Sequence, residues 1–198
     1  LPAGRDRFDQ ARLINIANAL TALRVVLIPL FAYLLISGKE PEALLVFVVC
    51  GLSDTLDGVL ARWLRQRTLV GAYLDPVADK LMMATAFVVL AYVRVVPYWL
   101  TILVISRDVF ILVGVSLYLL LLGDTGAQPT ALSKANTAVQ ILTVTFFLAA
   151  TAYPEAADSL GAGAGSAVAR GVVLLCAATT AASGAQYVYL GIRKLSDA

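Results

Sequence analysis

Long apolar stretches broken by short polar turns run the whole length of the chain. Six of them, at about 13–36, 41–63, 70–93, 97–122, 132–151 and 167–191, reach the ~20 residues that a helix needs to cross a bilayer core of ~30 Å. The breaks carry turn chemistry: Ser37-Gly38-Lys39-Glu40-Pro41, a basic run at Arg62, Arg65 and Arg67, Gly123-Asp124-Thr125-Gly126 with Pro129, and a Gly/Ala-rich stretch at 154–165. The pattern predicts an all-α fold, a polytopic membrane protein of six transmembrane helices forming one domain over 13–198. Residues 1–12, with Arg5, Arg7 and Arg12 beside Asp6, Phe8 and Asp9, are expected to form a short interfacial segment. They lack the apolar core expected of a signal peptide. No internal repeat is visible.

The polar residues inside these spans are few and ordered. In the first, Asn15, Asn18, Thr21 and Arg24 recur every three residues, a stripe expected to face a polar cavity or to make interhelical hydrogen bonds. The second carries Asp54 and Asp57, three apart, and the third Asp75 and Asp79, four apart. Either spacing puts both carboxylates on one helix face. The pairs lie about symmetrically around Gln66, so a hairpin turning at the arginine run would hold both about 13 Å below the turn. Four like charges converge in a low-dielectric site only when cations neutralise them. Hard oxygen ligands favour Mg²⁺, Mn²⁺ or Ca²⁺ over zinc. Pro76, directly after Asp75, removes an amide and is expected to break the ladder locally where the freed carbonyl meets protein or a wet cavity.

Composition agrees with a membrane reading. Of 198 residues, 60% are hydrophobic and 14% charged, and the mean hydropathy is +0.85, more apolar than a soluble domain requires. The absence of histidine excludes histidine triads and imidazole metal sites, and the small net charge of +2 gives no reason to expect a nucleic-acid partner. Cys50 and Cys176 fall in apolar segments, where free thiols are ordinary core residues. With six spans, Arg5, Arg7, Arg12, Arg62, Arg65, Arg67, Lys134, Arg193 and Lys194 fall on one side, and Lys39, Arg94 and Arg170 near the other. The positive-inside rule then puts the termini and the aspartates in the cytoplasmic half.

A second costly feature is Ser106-Arg107-Asp108 in mid-span. An arginine there costs at least ~2.5 kcal/mol on insertion scales and needs a partner or a phosphate. Asp108 is adjacent and points ~100° away on the helix, so a poor direct partner is expected. Arg107 and Lys134 are read as holding a substrate phosphate; pairing of Arg107 with a hairpin aspartate is the alternative.

The spacing D-x2-D-G-x2-A-R-x8-G-x3-D-x3-D, here Asp54, Asp57, Gly58, Ala61, Arg62, Gly71, Asp75 and Asp79, resembles the signature of the CDP-alcohol phosphotransferases. Asn18, Thr21 and Arg24 resemble the N-x2-T-x2-R element found at the same place in that family. The resemblance implies integral membrane enzymes of phospholipid synthesis, dimeric, with two divalent ions, Mg²⁺ or Mn²⁺. Asp54, Asp57 and Asp75 would be the principal metal ligands, with Asp79 the general base at or beside the second metal. From the residues alone, any one of the four could be the one spared. The resemblance also implies a CDP-lipid site bordered by Asn18, Thr21, Asp54, Gly58, Ala61 and Gly71, with Arg62 stabilising the turn or the diphosphate.

The segments ISRDVFILVG, SKANTAVQIL and TTAASGAQYVYLGIRK are similar to those of the eukaryotic-type cardiolipin synthases within this family. Phosphatidylglycerophosphate synthases usually show Ala-Arg-Glu where this chain has Ser-Arg-Asp. The implied reaction joins CDP-diacylglycerol and phosphatidylglycerol into cardiolipin and CMP, in a bacterial cell membrane or the mitochondrial inner membrane, with the site facing cytoplasm or matrix. Alternatives are a phosphatidylglycerophosphate synthase using glycerol 3-phosphate, an inositol-lipid synthase, and a carboxylate-lined cation transporter. The transporter is disfavoured because the acidic residues cluster in one half of the membrane.

Overall fold

The computed structural model describes residues 16–64, 69–122, 130–163 and 165–196, with side chains over 23–53, 78–114, 116, 130–163, 165–191 and 193. Those residues form seven helices and no strand: α1 (Ile16–Ile36), α2 (Glu40–Leu64), α3 (Leu69–Tyr92), α4 (Tyr98–Leu122), α5 (Ala131–Ala152), α6 (Pro154–Ser159) and α7 (Ala167–Ser196). The all-α expectation holds, and each predicted span corresponds to one long helix. The segment 1–12 and the arginines at 65 and 67 lie outside the described residues.

The helix beyond the six expected spans is α6, one short helix inside the stretch expected to be a loop. Pro154 starts it with a pre-set φ and an N–H that no helix needs there, and Glu155 favours its positive N-terminal end. The helical backbone runs on through Pro76, where a break was expected. Pro29 lies inside α1 in the same way.

The chain divides into two compact units, 1–86 and 87–198. In the first, α1 and α2 pack as an antiparallel hairpin. Phe31 and Phe47 meet with ring centroids 6.0 Å apart, and Leu35, Ala43 and Cys50 are buried with them. Gly38, at φ 71°, turns the chain in the left-handed region. Lys39 N–H then returns to Leu34 C=O at 3.0 Å and Gly38 N–H to Leu35 C=O at 3.3 Å, satisfying the last carbonyls of α1.

In the second unit, α4 and α5 both pack on α7. The turn from α3 to α4 is built like that after α1, with Arg94 at φ 65° in place of a glycine. Val95 N–H reaches Leu90 C=O at 2.9 Å, and the Arg94 guanidinium carbon lies 5.1 Å from the centre of the Tyr98 ring. Thr101 Oγ1 ties α4 to α3 by donating to Phe87 C=O at 3.1 Å. Thr130 caps α5, accepting from Ser133 N–H at 3.1 Å.

This unit buries polar groups among its apolar core and exposes large apolar side chains. Arg107, Asn136, Gln140, Thr143, Thr180 and Ser183 are buried, while Phe110 is 74% and Leu142 67% exposed. Such a surface suits hydrocarbon better than water. Among the described residues, Ala131–Ala152 and Ala167–Gly191 are long and apolar enough to cross a membrane, and Leu23–Ile36 is a shorter apolar helix.

Candidate functional site

The helices carry the aspartate pairs as the spacing requires. Asp54 and Asp57 lie one turn apart on α2, with Gly58, Ala61 and Arg62 following; Gly71, Asp75 and Asp79 lie on α3, and Asn18 and Thr21 on α1. The side chains of Asn18, Thr21, Asp54, Asp57, Ala61, Arg62 and Asp75, and the surroundings of Gly58 and Gly71, lie outside the described residues. Asp79 is described and half-buried, one residue after the buried Ala78. Arg24, the end of the polar stripe on α1, is buried at 3% exposure. Among the described residues no three acidic or thiol side chains gather as a cation site. As a donor set, four carboxylates paired on two helices fit a hard divalent cation, because all eight oxygens are of the type Mg²⁺ and Mn²⁺ prefer.

The second unit places Arg107 at the meeting of α4, α5 and α7. Its Nη2 donates to Ser133 Oγ on α5 at 2.8 Å and to Ser183 Oγ on α7 at 2.5 Å. Its Nη1 donates to Asp108 Oδ1 at 2.7 Å. The ring centre of Tyr187 lies 5.9 Å from the guanidinium carbon. This corrects the expectation about Asp108. The Cβ directions do diverge, but the long arginine side chain folds round the helix and brings Nη1 to its neighbour's carboxylate. Lys134, the other cation expected at a substrate phosphate, is exposed beside Ser133.

Arg107 sits within a ladder of side-chain pairs between the antiparallel helices α5 and α7. Thr130 Oγ1 donates to Gln186 Oε1 at 2.9 Å. Next come Ser133 and Ser183, joined through Arg107, and then Thr180 Oγ1 donates to Asn136 Oδ1 at 3.0 Å. Each rung steps by three residues along both helices, so one face of α5 meets one face of α7. Sequence reasoning noted Ser133 and Asn136 only within SKANTAVQIL and Thr180, Ser183, Gln186 and Tyr187 only within TTAASGAQYVYLGIRK, with no partners, and Thr130 not at all. The signal was there in the three-residue spacing of 130, 133 and 136 against 180, 183 and 186. It is faint, because neutral hydroxyls barely dent an apolar pattern.

The sequence pattern of the CDP-alcohol phosphatidyltransferase family matches residues 14–182, which include all four aspartates and Arg107. The chain belongs to that family. Members with which it aligns include human cardiolipin synthase (CMP-forming), 36% identical over 89% of this chain and 62% of the human protein. The rat cardiolipin synthase (CMP-forming) is 34% identical over 89% of this chain and 61% of its own length. A Mycobacterium tuberculosis protein named as a probable phosphatidylglycerophosphate synthase is 32% identical over 70% of this chain and 68% of its own. The chain thus spans about three-fifths of the human and rat relatives. The signature residues, Asp54, Asp57, Asp75 and Asp79 among them, all fall inside the matched region.

Proposed function

We propose that this protein is a multi-pass membrane cardiolipin synthase that transfers a phosphatidyl group from CDP-diacylglycerol to phosphatidylglycerol, releasing CMP. The observation that carries the reading is similarity to human cardiolipin synthase at 36% identity over 89% of this chain. Burial of Arg107 in a unit with an apolar exterior supports a lipid-embedded site.

Asp54, Asp57 and Asp75, with Asp79 at or beside them, would hold two divalent ions, Mg²⁺ or Mn²⁺. Bound there, such ions neutralise the diphosphate and make CMP a better leaving group. Asn18, Thr21, Gly58, Ala61 and Gly71 would border the CDP-lipid, where small residues let a flat nucleotide approach the helix backbones. Arg62 would face the diphosphate or hold the turn. Asp79 accepts the proton of the attacking hydroxyl. The hydroxyl oxygen bonds to the phosphorus of the phosphatidyl group, and the bond from that phosphorus to the CMP oxygen breaks with its electron pair on CMP. Arg107 and Lys134 hold the acceptor's phosphate, two cations against one phosphodiester. The protein works as a homodimer in a bacterial cell membrane or the mitochondrial inner membrane, its site on the cytoplasmic or matrix side.

A second reading is supported by the mycobacterial relative named as a probable phosphatidylglycerophosphate synthase. In that reading the acceptor is glycerol 3-phosphate. Supplying purified protein with CDP-diacylglycerol and each acceptor in turn decides between them. Cardiolipin formed from phosphatidylglycerol is expected. Turnover with glycerol 3-phosphate alone would replace the first reading by the second.

A further inference from the structure

The guanidinium of Arg107 has five N–H groups, and its neighbours use three of them. Ser133 and Ser183 take both hydrogens of Nη2, and Asp108 takes one from Nη1. Nε–H is buried with no acceptor among the described residues. An unmet donor on a charged group is costly in a low-dielectric interior. A site that keeps one is suited to an incoming acceptor atom.

The three groups that hold Arg107 differ in kind. A carboxylate cancels the guanidinium charge, whereas a hydroxyl fixes direction and leaves the charge in place. Two hydroxyls, from helices whose residues lie 50 apart in sequence, converge on one nitrogen and so fix the plane of the group. The rungs on either side, Thr130–Gln186 and Asn136–Thr180, hold those two serines in register. Tyr187 bounds one face. At Gly184, α7 runs close beside the arginine stem: a Cβ there would meet Arg107 Cγ in ordinary contact at 3.5 Å.

We propose that Ser133 and Ser183 are positioning residues that fix the plane of the Arg107 guanidinium and so aim its unused Nε–H at the phosphate of the acceptor substrate. The inference rests on the reading of Arg107 given under the proposed function. It adds that two neutral hydroxyls of α5 and α7 set how tightly that phosphate is held. They do so without touching the nucleotide. The effect belongs to the acceptor KM.

The test uses the full chain in lipid nanodiscs, with CMP release followed while one substrate is varied and the other saturates. The acceptor is whichever of phosphatidylglycerol and glycerol 3-phosphate the enzyme turns over, as both carry a phosphate. Ser133→Ala and Ser183→Ala are each expected to raise the acceptor KM about tenfold, the effect of losing one hydrogen bond to a charged group. The KM for CDP-diacylglycerol should move by less than about twofold, and Ser183→Thr should restore most of the acceptor KM, because the hydroxyl is regained. If either alanine variant does not fold, the other carries the same comparison. An unchanged acceptor KM in the alanine variants, or an equal rise in both KM values, would overturn the inference and leave the serines as helix fasteners. Arg107→Ala separates the two levels. A raised acceptor KM there with normal serine variants sinks only the positioning role, whereas an unchanged one sinks the reading of Arg107 itself.

Discussion

At the scale of single residues, the four aspartates make the sharpest demands. Asn keeps the size of Asp and one oxygen but loses the charge that a divalent cation needs. Asp54→Asn, Asp57→Asn and Asp75→Asn are each expected to lower turnover by at least about a hundredfold, in line with the loss of several kcal/mol of charge stabilisation. Excess chelator should abolish activity and added Mg²⁺ or Mn²⁺ restore it; full activity in chelator rules out the metal. Asp79→Asn should behave differently, because its proposed task is to take a proton. CDP-diacylglycerol should still raise the thermal midpoint of this variant while CMP release disappears. A variant that also loses protection by ligand makes Asp79 an essential cation ligand instead. These positions were legible in the sequence because a carboxylate inside an apolar run stands out at once. The partners of Arg107 were not, because Ser133 and Ser183 are small, neutral and 50 residues apart, and only the packing of α5 on α7 brings them to one nitrogen. Asp108 misled for the opposite reason: Cβ direction was a poor guide for a side chain as long as arginine.

At the scale of elements, hydrophobic length sufficed to find the helices. Their observed bounds agree with the expected spans to within one residue at Ile36, Glu40, Tyr92, Tyr98, Ala131, Ala152 and Ala167. The last helix runs to Ser196, beyond the apolar stretch, through residues such as Arg193 that favour a helix. The short α6 has too few residues to show a period and was missed. Two similar turns make a paired test of backbone strain. Gly38 at φ 71° has open space around a would-be Cβ, its nearest neighbour being Glu40 Oε1 at 4.0 Å. Gly38→Ala therefore carries only the left-handed backbone penalty, and a loss of about 1 kcal/mol is expected. Arg94 already bears that penalty at φ 65°. Arg94→Gly relieves it but gives up the stack on Tyr98, worth ~0.5–1 kcal/mol, so little net change is expected. Thermal unfolding in detergent measures both. A loss at Arg94→Gly as large as at Gly38→Ala would mean that the contact with Tyr98, rather than backbone strain, governs that turn.

At the scale of the whole molecule, the proposed topology follows from charge, and it can be tested without an activity assay. Six crossings require the turns at 37–39 and 93–97 and the stretch 153–166 to face one side, and residues 65–68, 123–129 and the C-terminus the other. The cationic residues divide unequally between them: Arg62, Arg65, Arg67, Lys134, Arg193 and Lys194 on one side, Lys39, Arg94 and Arg170 on the other, before the three arginines of 1–12 are added. Lys and Arg near span ends are retained in the cytoplasm, so the richer side is the inner one. A nucleotide-bearing substrate presents its head group on that same side. Cys50 and Cys176 are both buried, so replacing them by alanine gives a background in which a single new thiol reports its own location. In oriented cells or vesicles, a membrane-impermeant maleimide should label Ser37→Cys and Ser159→Cys from outside. Gln66→Cys and Ser196→Cys should react only after the membrane is opened. An odd number of crossings between Gln66 and Ser196 would put them on opposite sides, and labelling of only one of them from outside would refute the six-span arrangement. Reversal of all four results would keep six spans but turn the aspartate face outward, away from its nucleotide substrate, and the proposed reaction could not run in that orientation.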